Sequence, residues 1–228
     1  MSASSSFGRL EPGMRAALHQ AWAAVEAGSL GIGAAALDDA GAVLAVGRNR
    51  LHESDPGDDA LAGTSLAHAE LNVLAKLPFR AHESVVLHTT LQPCLQCLAA
   101  IRLSSVSRVH VLAPDPLWRG IERIRDVTSF VARRWPSIEQ HPVDEWSAFA
   151  LLSPTRHMSS HPQLGETWTS TLPGVTAVSI AAEADRLFHG ADSVVEAADR
   201  VWDQLSACID EVAAVADDPG PAPGDPAV

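Results

Sequence analysis

Lysine occurs once, as Lys76, cysteine occurs three times, and apolar residues never run unbroken for the length of a membrane-crossing helix. Each shortage excludes something. Without about eighteen consecutive apolar residues, no segment is suited to span a bilayer as a helix. Cys94, Cys97 and Cys208 cannot build a disulfide framework, since two stand three apart and the third is alone. Thiols of this kind suit a reducing compartment, so a cytoplasmic protein is expected. The first eight residues are serine-rich and have no basic segment leading into an apolar stretch, so no signal peptide is expected there. Basic residues number 16 against 28 acidic ones, a formal net charge of −12. That balance argues against affinity drawn from phosphate backbones, and nucleic acid is not expected as a partner.

What is present fits a soluble globular chain. Hydrophobic residues make up 46% and charged ones 19% of 228 residues, enough for one domain of ordinary size with room for an appendage. Met14, Ala17, Leu18, Ala21, Trp22 and Val25 recur at helical spacing, and Gly28 ends that run. Leu30 to Leu37 and Ala42 to Val46 read as two strands joined by the turn residues Asp38-Asp39-Ala40-Gly41. A loop follows from Leu51 to Ser65, carrying Glu53, Asp55, Asp58 and Asp59. Helices are predicted over Leu66–Leu77, Cys94–Ser104 and Gly120–Arg134. Strands are predicted over Ser84–Leu91, Arg108–Ala113 and near Ile138–Val143, with Pro114-Asp115-Pro116 as a turn.

This alternation predicts an α/β fold, a three-layer α/β/α sandwich. Its five-stranded sheet should be mixed, because a hairpin opens it and helical crossovers continue it. The main domain is expected over residues 10–143. Residues 144–216 are read as an irregular Pro/Ser/Thr-rich connection and a C-terminal helix, and 217–228 as a disordered Pro/Gly/Asp-rich tail. In the helical part Leu187, Ala191, Val194, Ala198, Val201, Leu205, Cys208, Val212 and Val215 alternate by four and three, with Phe188, Val195, Trp202 and Ile209 widening the stripe.

The chemistry is spelled in two pieces, His68-Ala69-Glu70 and Pro93-Cys94-Leu95-Gln96-Cys97. Together they offer three soft ligands and one free carboxylate. A catalytic zinc site keeps three protein ligands and leaves a fourth position to water. His68, Cys94 and Cys97 are the expected ligands of Zn2+, with Glu70 left to move protons. Cys94 and Cys97 share one face at the start of a helix, whose N-terminus favours thiolate. His68 and Glu70, two apart, reach one site only if His68 stands at the very start of its helix, and Thr64 or Ser65 is the expected cap. Read alone, Pro-Cys-x-x-Cys is also compatible with a redox pair or with half of a structural zinc knuckle.

Both halves with this spacing resemble the zinc-dependent cytidine deaminase-like superfamily and its H-x-E…P-C-x-x-C signature. The resemblance spans roughly Met14 to Val143. It implies hydrolytic deamination of a small amino-substituted nucleobase or nucleoside, with Glu70 as the proton-moving catalytic residue. Asn49 is placed where the superfamily has a strand-end asparagine touching base or sugar. Backbone N–H groups of Ala69 and Cys94, both at helix starts, are candidates for substrate binding, and Trp118, after a strand end on the zinc side, for stacking on the base. Gln92 departs from the glutamate many relatives carry before Pro-Cys, and Asn72 is similar to the deoxycytidylate branch. Two further readings are a deaminase acting on a base within nucleic acid and a catalytically silent, zinc-stabilised interaction module. A homodimer is expected from the resemblance and from the four-three seam near the C-terminus.

Overall fold

The computed structural model describes residues 2–55, 57–79, 84–154, 157, 179 and 188–217. The elements in chain order are α1 (Ala3–Phe7), α2 (Pro12–Glu26), β1 (Gly33–Leu37), β2 (Val43–Arg48), α3 (Ala69–Lys76), β3 (Val86–Leu91) and α4 (Leu95–Leu103). They continue with β4 (Arg108–Ala113), a 3-10 helix (Ile121–Asp126), α5 (Ser129–Ala132), β5 (Ser137–Gln140), α6 (Glu145–Leu152), α7 (Val194–Asp199), α8 (Trp202–Ala207) and α9 (Ile209–Asp217). None of these helices is long and apolar enough to cross a membrane.

The sheet runs β2-β1-β3-β4-β5. β1 pairs antiparallel with β2 and β3, while β3–β4 and β4–β5 are parallel, so the sheet is mixed as expected. α3 and α4 cover one face, where Ala69, Val73 and Ile101 meet Ala34, Ala36, Leu87 and Val109. α2 and α6 cover the other. α2 buries the predicted stripe of Met14, Ala17, Leu18, Ala21, Trp22 and Val25. Pro12 opens it with φ already set for a helix. Gly33 explains how closely this helix lies on β1, since a Cβ there would come within 2.1 Å of the Ala17 carbonyl oxygen.

Three expectations need correction. The single helix over 120–134 breaks into the 3-10 helix and one turn of α5. Neither piece buries a residue, so no apolar face holds a continuous helix, and the Thr128 side chain instead caps Val131. Residues 144–216 do not begin irregularly. Asp144 and Ser147 form a capping box, and seven of the eight residues of α6 are buried. A helix apolar on all sides has no period to read, and it is found in the interior of a core. The C-terminal run, finally, is three short helices packed on their own chain.

Its seam residues Val194, Ala198, Val201, Leu205, Cys208 and Val212 are fully buried in one core with α2 and α6. Trp202 meets Trp146 edge-on with ring centres 5.5 Å apart, and Phe188 meets Phe149 at 5.5 Å. The core therefore runs across the boundary expected at 143. The seam is consumed inside the chain, which removes it as support for a homodimer. α1, read as a plain serine-rich terminus, docks on the same assembly through the Ala3 N–H to Asp199 Oδ1 (3.1 Å) and Phe7 against Trp146. Apart from Asp217, the expected disordered tail lies outside the described residues, as does most of 155–187.

Because α8 belongs to the main core, Leu205→Ala should cost about 2–5 kcal/mol in urea unfolding, the range for a buried leucine. A peripheral appendage would give a change within about 0.5 kcal/mol.

Candidate active site

The N-termini of α3 and α4 converge on one face of the sheet. His68 is the cap residue of α3, with φ −81° and ψ 154°. This extended backbone lets His68 and Glu70 point into one place, as the sequence required. The cap is not Thr64 or Ser65, and the helix begins at Ala69 instead of Leu66. The preceding residues close a turn of their own, with Ala67 N–H donating to Thr64 O and His68 N–H to Leu66 O. Gly47 lets α3 press on β2, since a Cβ there would sit 2.7 Å from the Ala69 carbonyl oxygen and 2.9 Å from the Val73 nitrogen. Asn72 is structural. Its NH2 donates to Arg48 O and Leu61 O at 3.1 Å each, and its oxygen accepts the Leu61 N–H at 2.9 Å.

His68 Nδ1 lies 3.5 Å from Cys94 Sγ and 3.5 Å from Cys97 Sγ. A tetrahedral zinc ion, with Zn–S near 2.3 Å and Zn–N near 2.0 Å, sets an N···S edge of about 3.5 Å. The three groups therefore fit zinc in donor chemistry and in spacing, and Cys94 caps α4 as the cysteine pair requires. Cys97 donates a hydrogen bond that holds the Cys94 thiol down at about 4, and the same bond, with burial, pushes Cys97 well up.

Glu70 is 3% exposed. Its Oε2 is 3.4 Å from Cys97 Sγ, and its Oε1 is 3.1 Å from the Thr89 hydroxyl, which also lies 3.1 Å from Leu91 O. Burial raises the pKa of Glu70 above the ordinary carboxylate value.

Beside these groups is a cavity of about 120 Å³ whose wall includes His68, Ala69, Glu70, Cys94, Asn49 and Trp118. The expected ligand Cys97, fully buried, and Asn72 are not part of this wall. Asn49 is fixed by its oxygen, which accepts from Ser29 Oγ at 2.9 Å and from the Leu51 N–H at 3.2 Å. Its buried NH2 has no hydrogen-bond partner among the described residues.

Two residues of the site escaped sequence reasoning. Thr89 was one of several β-branched strand residues, and only the strand's pleat turns it toward Glu70. Asp115 was read as turn chemistry. It is 5% exposed in the cavity wall, and burial pushes its carboxyl up to about 7, with Cys94 and Glu70 adding to the rise against the Leu117 N–H. Gln92 holds it in place by accepting the Asp115 N–H at 3.1 Å while donating to Glu122 at 2.6 Å.

The acidic loop before His68 also differs from expectation. Glu53 pairs with Arg48 and Arg50 at 2.7 Å each, and Asp59 with Lys76 at 2.6 Å and Arg50 at 3.3 Å. Two of its four carboxylates are therefore neutralised, and the loop gives little ground for excluding nucleic acid.

Residues 9–113 match the family described as the cytidine and deoxycytidylate deaminase zinc-binding region. Over this stretch the chain is similar to the zinc-dependent cytidine deaminase-like superfamily. Among solved structures, a tRNA:A34 deaminase studied for A-to-I editing is 28% identical, covering 56% of this chain and 95% of that one, with TM-score 0.45. Guanine deaminase from Bacillus subtilis is 26% identical over 50% of this chain and 66% of that one, with TM-score 0.38. Guanine deaminase from Nitrosomonas europaea is 18% identical over 69% and 83%, with TM-score 0.43. No curated protein sequence matches the chain.

Loading the chain with cobalt tests the ligand set. One equivalent should give the intense sulfur-to-metal absorption of a thiolate site, and a Cys94→Ala, Cys97→Ala double variant should lose that band entirely.

Proposed function

We propose that the chain is a zinc-dependent hydrolase that deaminates a small amino-substituted nucleobase or nucleoside and releases ammonia. The observation that most supports this reading is Glu70, a buried carboxylate placed beside three metal-ligating groups at a cavity. A purely structural zinc site has no use for it, whereas deamination needs a group that takes up and returns protons.

His68, Cys94 and Cys97 would hold zinc, which when bound would lower the pKa of its water from about 15.7 to about 7. Glu70 would take one proton from the attacking water and pass it to a ring nitrogen of the base, then take the second from the added hydroxyl and deliver it to the departing amine. One C–O bond forms at the carbon that carried the amine, one C–N bond breaks, and ammonia leaves without any oxidant. Thr89 serves both states of the carboxyl. Its hydroxyl donates to ionised Glu70, and turns to Leu91 O when Glu70 is protonated and donates instead.

Asn49 offers its free NH2 to an acceptor on the base or sugar, and Trp118 stacks on the base from the half-exposed side. The N–H groups of Ala69 and Cys94, free of intrahelical partners at helix starts, line the place where negative charge gathers on oxygen. Asp115, as a second carboxyl in the wall, accepts from a ring N–H or amine of the base. At about 120 Å³ the cavity is far smaller than the roughly 300–1,000 Å³ that takes drug-sized ligands, which favours a small substrate. Because the site needs two free thiols, a reducing, cytoplasmic setting is part of this reading.

Ammonia release from a panel of bases, nucleosides and nucleotides, with single-stranded DNA and tRNA alongside, tests the proposal. Activity is expected on at least one small aminoheterocycle. With that substrate, Glu70→Ala should keep its zinc and its fold while kcat falls by about 10²–10⁴-fold. Near wild-type turnover in this variant would return the site to a structural role.

A further inference from the structure

We propose that Glu11, His88 and His110 form a second, thiol-free site for a divalent transition-metal ion on the face of the sheet opposite the first. Strand pleating separates the two. Thr89 points to Glu70, so its neighbour His88 points the other way. His110 is the register partner of His88 across β3 and β4, and Glu139 is the partner of His110 across β4 and β5. Three polar side chains therefore stand in a row on one face, and Glu11, the cap residue of α2, hangs over them.

Glu11 Oε2 lies 2.9 Å from His110 Nδ1 and 3.5 Å from His88 Nδ1, and the three ligand atoms all fall within 4.8 Å of one another. A tetrahedral ion with bonds of about 2.0–2.1 Å to nitrogen and oxygen sets edges of about 3.3 Å, which these distances bracket. Two imidazoles and one carboxylate, with water completing the shell, is an established zinc donor set.

Three independent features favour a ligand over a purely structural clasp. His88 is 4% exposed, and among the described residues its Nδ1 makes no hydrogen bond and has only the Glu11 carboxylate near it, at 3.5 Å, a costly arrangement that a bound ion would relieve. Gly13 makes room for the ring. A Cβ there would fall 2.2 Å from His88 Cδ2, so the first turn of α2 carries a residue of poor helix propensity. Glu139 Oε2 stands 3.5 Å from His110 Nε2, on the far side of the ring from Glu11. A carboxylate there fixes the tautomer that leaves Nδ1 free to coordinate, the arrangement found behind metal-bound histidines. An adjoining cavity of about 160 Å³, walled in part by Glu11, His110 and His141, has room for water at the open positions.

Zinc stoichiometry of the full chain, dialysed to equilibrium at micromolar free zinc, tests this. Wild type should hold two ions per chain. Glu11→Gln and His110→Ala should each hold one, and both should keep the cobalt–thiolate band of the first site. The Cys94→Ala, Cys97→Ala double variant should also hold one, with a cobalt spectrum lacking that band. Glu11→Gln changes an exposed side chain, so its loss of an ion cannot be put down to unfolding. Saturation of wild type at one zinc, or a double variant holding none, would overturn the proposal and leave the cluster as a hydrogen-bonded clasp between α2 and the sheet.

Discussion

An imidazole at the cap of one helix and two thiols at the start of another must meet at a single point, although His68 and Cys94 are 26 residues apart. Nearly everything around β1 to β4 serves that meeting. Both helices lie on the same face of the sheet, and they approach it over small residues, Ala34, Ala36 and Ala45, with Gly47 under the first turn of α3. Larger side chains would lift α3 away and carry His68 with it. A displacement of about 1 Å at reacting groups can cost on the order of 10²-fold in rate, so this close packing is part of the site's chemistry as much as of its stability. Two helix N-termini pointing at one place add a positive potential that suits thiolates and a developing oxyanion.

Charge is distributed in a way the net value of −12 conceals. Near the site, Arg48, Arg50 and Lys76 absorb Glu53 and Asp59, and Asn72 ties the loop to α3 and β2. The carboxyls that remain at the cavity, Glu70 and Asp115, are buried and have raised proton affinity. A chain acidic overall thus presents, at its pocket, two carboxyls whose proton affinity burial has raised above the ordinary carboxylate value.

The C-terminal part of the chain belongs to the same body. α6 packs on β4 and β3, α8 and α9 pack on α6, and Ser153 at the end of α6 donates to the Gly31 carbonyl at 2.7 Å. Pro154 then enters the cavity wall. Residues beyond 143 therefore shape the pocket as well as bury the core, and replacing them would alter substrate fit without touching a metal ligand.

Local spacing made much of the site readable in advance. His68 with Glu70, and Cys94 with Cys97, are close in sequence, so their geometry follows from how a helix starts. Asn49 and Trp118 followed from strand ends and the superfamily resemblance, and the stripe of α2 from its period. α6 left no trace because a helix buried on every side is not amphipathic. The C-terminal stripe was visible, but a period tells which face is apolar and not what covers it, so a partner chain and the chain's own core looked alike. Thr89, Asp115 and the row of His88, His110 and Glu139 depend on pleat and on register between strands distant in sequence. Those pairings are long-range contacts, chosen by the packing of the whole sheet, and only the tertiary structure could decide them.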